Sequence, residues 1–132
     1  MAEPTFHVEV RGERVEGMAA GIDRRHLERL RRGEPEPEWE IDLHGLDQRE
    51  ARQAVRRAVL EAFEAGVRCL LVIHGRGSHS EAGAVLKPAL ARWLEAPPAG
   101  LRVMAFCSAA SRDGGAGASY VLLRRNRSLQ HS

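Results

Sequence analysis

Val67-Arg68-Cys69-Leu70-Leu71-Val72-Ile73-His74-Gly75-Arg76-Gly77 is an almost unbroken apolar run that stops at a histidine and a glycine-rich turn. Such a run reads as a strand covered on both faces, as in the parallel sheets of α/β folds. About thirty residues earlier the pattern occurs once already: the short apolar run Trp39 to Leu43 closes in Asp42-Leu43-His44-Gly45. Between the two, Asp47 followed by Glu50 has the form of a capping box and opens a helix to about Ala65. Ala51, Ala54, Val55, Ala58, Ala62 and Phe63 make its apolar stripe, opposite Arg49, Arg52, Arg56 and Arg57, and Gly66 is a natural stop. A second helix is expected from about Gly83 to Leu94, with Val85, Leu86, Leu90, Trp93 and Leu94 inward and Pro88 at its real first turn or at a kink. Leu101 to Cys107 and Ser119 to Arg124 complete the strands, with a flexible loop between them. The order β-α-β-α-β-β and right-handed crossovers predict parallel first and second strands with both helices on one side. The expected fold is an α/β two-layer sandwich on a four-stranded mixed sheet.

The flanks read differently. Residues 1–38 are expected to form an extension outside the main core, with Asp23 capping a short helix to about Arg32 and Gly33 ending it. Glu34-Pro35-Glu36-Pro37-Glu38 is a stiff acidic linker, because each proline pushes its predecessor into extended geometry. The α/β domain then occupies 39–126 and a tail 127–132. With 132 residues and 43% hydrophobic content there is enough chain for one domain with a real core. The start, Met1-Ala2-Glu3-Pro4-Thr5, has neither the basic region nor the apolar stretch of a signal peptide, so the cytoplasm is the expected compartment and no membrane is expected. Cys69 and Cys107 are accordingly expected as buried, reduced thiols. Net charge is only +2, but it is unevenly spread. From Ala99 onward Arg102, Arg112, Arg124, Arg125 and Arg127 face a single acid, Asp113. Lys87 is the only lysine; arginine suits bidentate phosphate contacts, and a GC-rich genome produces the same bias.

If the two runs are neighbouring parallel strands, both histidines emerge at carboxyl ends, where open α/β sheets bind ligands. Asp42 and His44, two apart on a strand, share a face, and a carboxylate beside an imidazole can hold its tautomer and raise its basicity. The same spacing equally fits an aspartate accepting main-chain bonds and a histidine in the following turn. In His74-Gly75-Arg76-Gly77 the glycines admit close approach and offer amides, and Arg76 offers a planar fork for phosphate; simple connection geometry is the alternative. The loop Ser111-Arg112-Asp113-Gly114-Gly115 supplies a third element if it lies at the same edge. No CxxC, HxxxH or HExxH spacing occurs, so no protein-held structural zinc is expected, and neither a P-loop nor a complete dinucleotide fingerprint is present.

These three motifs, in this order and before Tyr120-Val121-Leu122-Leu123-Arg124-Arg125, resemble the Smr (small MutS-related) domain over about Ile41 to Arg125. Gly21-Ile22-Asp23-Arg24-Arg25 and Leu30-Arg31-Arg32-Gly33 are similar to the extension of stand-alone bacterial members. The resemblance implies an endonuclease acting on RNA, including messenger RNA on ribosomes, or nicking DNA. It puts the family's Asp-x-His motif on Asp42 and His44 and its His-Gly-x-Gly motif on His74, Gly75 and Gly77, with Arg76 at the variable place. The resulting expectation has His44 as general base oriented by Asp42, and His74 as general acid or phosphate ligand. Arg76 and Arg112 neutralise phosphate charge, and Gly45, Gly75, Gly77, Gly114 and Gly115 bring main chain to it. A requirement for Mg or Mn stays open, a monomer is expected, and the competing reading is a non-catalytic nucleic-acid or ribosome-binding module.

Overall fold

The computed structural model describes residues 5–75 and 81–131. Two strands lie at its start, β1 (Phe6–Arg11) and β2 (Arg14–Ala19), followed by helix α1 (Arg24–Arg31). Then come β3 (Trp39–Asp42), α2 (Gln48–Glu64), β4 (Cys69–Ile73), α3 (Glu81–Glu95), β5 (Val103–Ser108) and β6 (Ala118–Leu123). The mixed sheet therefore has six strands, in the order β1-β2-β5-β6-β4-β3, rather than the expected four. β3 and β4 are parallel across the α2 crossover, as the handedness rule requires, and every other pairing is antiparallel.

Residues 6–19 join the sheet because Phe6, Val8 and Val15 pack against the main core and Gly17 lets β2 come close to β5. A Cβ at Gly17 would lie 2.3 Å from the Phe106 ring, so only glycine fits beneath that ring. Phe6 flanks it, with ring centroids 6.2 Å apart. The expected extension is thus part of the same sheet.

The two-layer expectation also changes. α2 and α3 do lie together on one face, over Leu70, Val72, Val103, Val121 and Leu123. On the other face Leu27 and Leu30 of α1 bury Cys107, Tyr120 and Leu122, giving three layers over the sheet's centre. Asp23 caps α1 by accepting from the Arg25 N–H, and the Arg31 guanidinium grips Glu16 of β2, with Nε 2.9 Å from the carboxylate. That pair holds the Glu16 carboxyl below the ordinary carboxylate range. The linker's end is stitched down, since the Glu38 N–H donates to the Cys69 carbonyl and its carboxylate accepts from the Arg68 N–H.

The Asp47–Glu50 capping box of α2 forms as expected. Pro88 sits inside α3, which continues past it; the side chains of residues 81–85, Val85 among them, lie outside the described residues. Cys69 and Cys107 are free and buried, and burial pushes both thiols up to about 12. No helix among the described residues is long and apolar enough to cross a membrane.

Candidate phosphate-handling edge

Three motifs meet at one edge of the sheet because of strand direction. β3 and β4 end there and antiparallel β6 begins there, Ile73 pairing with Ala118. The Leu43 N–H donates to the Ile73 carbonyl at 2.9 Å, so the Asp42-Leu43-His44-Gly45 turn is tied directly to β4. The N–H groups of His74 and Gly75 both donate to the Gly117 carbonyl, at 3.0 and 2.9 Å, which ties β4's end to the 109–117 loop. That loop, expected to be flexible, is folded into two turns of 3-10 helix, Ser111–Asp113 and Gly115–Gly117. Gly114 and Gly115 connect them at φ of 111° and 55°, backbone that L side chains rarely adopt.

The two motif histidines differ sharply. His44 lies in the turn just beyond β3 and is exposed, and among the described residues its ring makes no hydrogen bond. Its main-chain N–H donates to Asp42 Oδ1 at 2.9 Å. This is an Asx turn: the carboxylate fixes where the His44 backbone goes instead of contacting its imidazole. His74 is 4% exposed. Its Nδ1 lies 2.8 Å from the Gly75 carbonyl and its Nε2 2.9 Å from the Ser119 hydroxyl. A carbonyl only accepts, so Nδ1 carries the proton and Nε2 accepts from Ser119. Burial pushes the imidazole below its ordinary pKa, and the nearby Lys87 charge adds to the effect. His74 is a neutral ring with both nitrogens committed. Strand alternation separates the motifs further: Ile73 and its partner Asp42 face the α1 side, whereas His74, like Leu70 and Val72, faces α2 and α3.

Arg112 lies at this edge, but its guanidinium donates to the Arg32 carbonyl at the end of α1, with Nε 3.9 Å from Asp113. Asp113 accepts from the Tyr120 hydroxyl. Burial, and next that bond, push the phenol up to about 12. The amides of Gly75, Gly114 and Gly115 donate to main-chain carbonyls of the fold. Gly45 is exposed and its N–H meets no acceptor among the described residues. Arg76 and Gly77 lie outside the described residues. No group of three or more His, Cys, Asp or Glu among the described residues is placed to hold a metal ion. Sequence reasoning missed Ser119 and the Tyr120–Asp113 pair. The role of Ser119 follows from the β4–β6 register, and that of the Tyr120–Asp113 pair from the folding of the 109–117 loop against β6; local sequence specifies neither.

A family model of the Smr domain matches residues 41–124. A protein of Yersinia enterocolitica named ribosome rescue factor SmrB is 36% identical over 103 residues, covering 78% of this chain and 54% of its own. An Escherichia coli O157:H7 protein of the same name is 36% identical over 109 residues, covering 83% of this chain and 55% of its own. The chain thus spans about half the length of these curated relatives. Among solved structures, YdaL, a stand-alone small MutS-related protein from Escherichia coli, superposes with a TM-score of 0.69 at 30% identity, covering 83% of this chain and 82% of that one. The Smr domain of Thermus thermophilus MutS2 gives a TM-score of 0.55 at 36% identity, covering 64% of this chain and 96% of that domain. With the motifs, the sheet and these relatives in agreement, the chain belongs to the Smr domain family.

Proposed function

We propose that this chain is an endonuclease that cuts phosphodiester bonds, RNA ahead of DNA, at the edge where β3 and β4 end. The observation that carries the reading is the contrast at His44: an exposed imidazole that makes no hydrogen bond among the described residues, on a backbone pinned by Asp42. A general base needs that combination of a free nitrogen and a fixed position. On RNA, His44 takes the proton of a 2′-hydroxyl, whose oxygen bonds to phosphorus while the P–O5′ bond breaks. The imidazolium returns a proton to the leaving 5′-oxygen. Asp42 holds the turn that presents the ring, and Gly45 admits the phosphate to main chain. His74, whose two nitrogens are occupied, acts as a positioning residue for the Gly75 turn. The name ribosome rescue factor, borne by relatives that match 78% and 83% of this chain, supports RNA on ribosomes as the target and the cytoplasm as the compartment.

Purified protein incubated with labelled single-stranded RNA and with supercoiled DNA, with and without chelator, tests this. RNA should be cut in the presence of chelator, leaving a cyclic phosphate and a 5′-hydroxyl. His44→Ala should lose about 10²–10⁴ in rate at unchanged affinity. Cleavage only with Mg²⁺ or Mn²⁺ and 5′-phosphate products would replace the 2′-hydroxyl route by metal-assisted hydrolysis. Binding without any cleavage would establish the non-catalytic nucleic-acid-binding module instead.

A further inference from the structure

A second concave surface lies at the opposite end of the strands, on the α1 side of the sheet. It is a cleft of about 510 Å³ between α1, the start of the linker, the beginning of β4 and the end of β6. Met104 and Leu122 are among its lining residues and Arg29, Arg68, Arg124, Arg125 and Arg127 surround them, with His26 beside. The one acid in the lining is Glu34, whose carboxylate lies 3.8 Å from the Arg32 guanidinium.

The charge here is built in and strongly positive, with Glu34 in the lining and Glu38 beside Arg68 as partial counter-charges. Arg68 is half-buried, with Nε donating to the Leu123 carbonyl at 2.9 Å and Nη2 lying 3.6 Å from the Met104 sulfur. Burial, and next the Arg125 charge, push the Arg68 guanidinium below its ordinary pKa against the favourable Glu38 charge. Among the described residues the side chains of Arg29, Arg124, Arg125 and Arg127 make no hydrogen bond or ion pair. By contrast Arg11, Arg25 and Arg31 are each paired with a carboxylate. Clustered unpaired guanidiniums beside apolar side chains suit a phosphate-bearing ligand with a flat apolar part.

We propose that this cleft is an accessory site for a single-stranded nucleic acid, with arginines on its phosphates and a base beside Met104. The five residues of β4 separate it by about 17 Å from the motif edge. A strand long enough to touch both places is held by both, and gains effective concentration at the cutting edge. The proposal rests on the nucleic-acid reading above but not on cleavage.

The test is fluorescence anisotropy of the full chain with a labelled 2′-O-methyl RNA of about 20 nucleotides, which lacks the attacking hydroxyl and exceeds one site of this size. Arg125→Ala with Arg127→Ala changes two exposed side chains, so the fold is kept. It should flatten the log–log salt slope by about 1.4, which is about 25-fold weaker binding near 0.1 M salt. Arg52→Ala with Arg57→Ala, an equal charge loss on the outer face of α2, should change neither by more than a small fraction. Equal effects from the two pairs, or no effect from Arg125→Ala with Arg127→Ala, would overturn the site. Displacement by free ATP at concentrations where an RNA of equal phosphate content does not compete would also overturn it, by making the cleft a mononucleotide pocket. If the chain proves unable to cut RNA, this binding difference should persist, so the two readings fail separately.

Discussion

Replacing His74 by alanine isolates the difference between the two motif histidines. The native ring is 4% exposed and bridges the Gly75 carbonyl and the Ser119 hydroxyl, at 2.8 and 2.9 Å. Alanine removes both bonds, leaves Ser119 buried without its acceptor, and opens a cavity; together these cost about 3 kcal/mol. The pH dependence is more diagnostic. Burial holds the folded-state pKa below the ordinary 6.5. Below about pH 6.5 the unfolded chain therefore binds a proton that the native chain refuses, so stability contributed by His74 is complete above that pH and is lost as pH falls toward the folded pKa. For one proton the slope is at most about 1.4 kcal/mol per pH unit. Urea unfolding of wild type and His74→Ala, followed by circular dichroism, should show a stability gap of about 3 kcal/mol near pH 7 that narrows toward pH 5. Equal stability near pH 7, or a gap that stays constant or widens on acidification, would refute the assignment of a neutral, doubly bonded ring.

Two further substitutions address the rest of the architecture. Gly17→Ala places a Cβ 2.3 Å from the Phe106 ring and should destabilise the whole domain by about 1–3 kcal/mol in one cooperative transition; an unchanged melt would detach β1 and β2 from the core. Asp42→Asn retains an oxygen acceptor for the His44 N–H, so stability should hold within about 0.5 kcal/mol while RNA cleavage falls at least about ten-fold, because the negative charge that offsets the imidazolium formed in the step is lost. Wild-type cleavage by that variant would restrict Asp42 to holding the turn.

The parallel β3–α2–β4 unit was legible because its signals are local: a capping box, one apolar stripe, and two apolar runs ending in His-Gly. The N-terminal hairpin was not recognised, although Phe6, Val8 and Val10 alternate and Gly12 follows, since its strands carry charges at every other place and Gly17 interrupts the pattern. Its membership in the sheet depends on the Phe106 ring reaching across to Gly17, a contact between residues far apart in the chain. The two-layer expectation contained its own contradiction. A strand that is apolar on both faces needs cover on both, and α1 is the element that supplies it. At the site, sequence put the two His-Gly turns at a common edge on the condition that their strands are parallel neighbours, left the place of the 109–117 loop open, and could not assign hydrogen bonds. The amides of Gly75, Gly114 and Gly115 serve the fold, and Arg112 serves the end of α1.

Sheet order explains why two similar motifs end in different chemistry. β4 lies between β6 and β3, so whatever follows it is flanked by strands on both sides, and His74 sinks onto Ser119 of β6. β3 is the edge strand, with no neighbour beyond it, so the turn that follows can leave His44 in solvent. The interior histidine, kept neutral and tied at both nitrogens, fixes the start of the Gly75 turn against Gly117. The edge histidine is held through its backbone, by Asp42 and the Leu43–Ile73 bond, and among the described residues its ring makes no hydrogen bond. The proposed attack on a phosphodiester requires a fixed support beside a free base, because the phosphate must be held while the proton moves. On that proposal the same strand–His-Gly unit, used once inside the sheet and once at its rim, would provide each half of the arrangement.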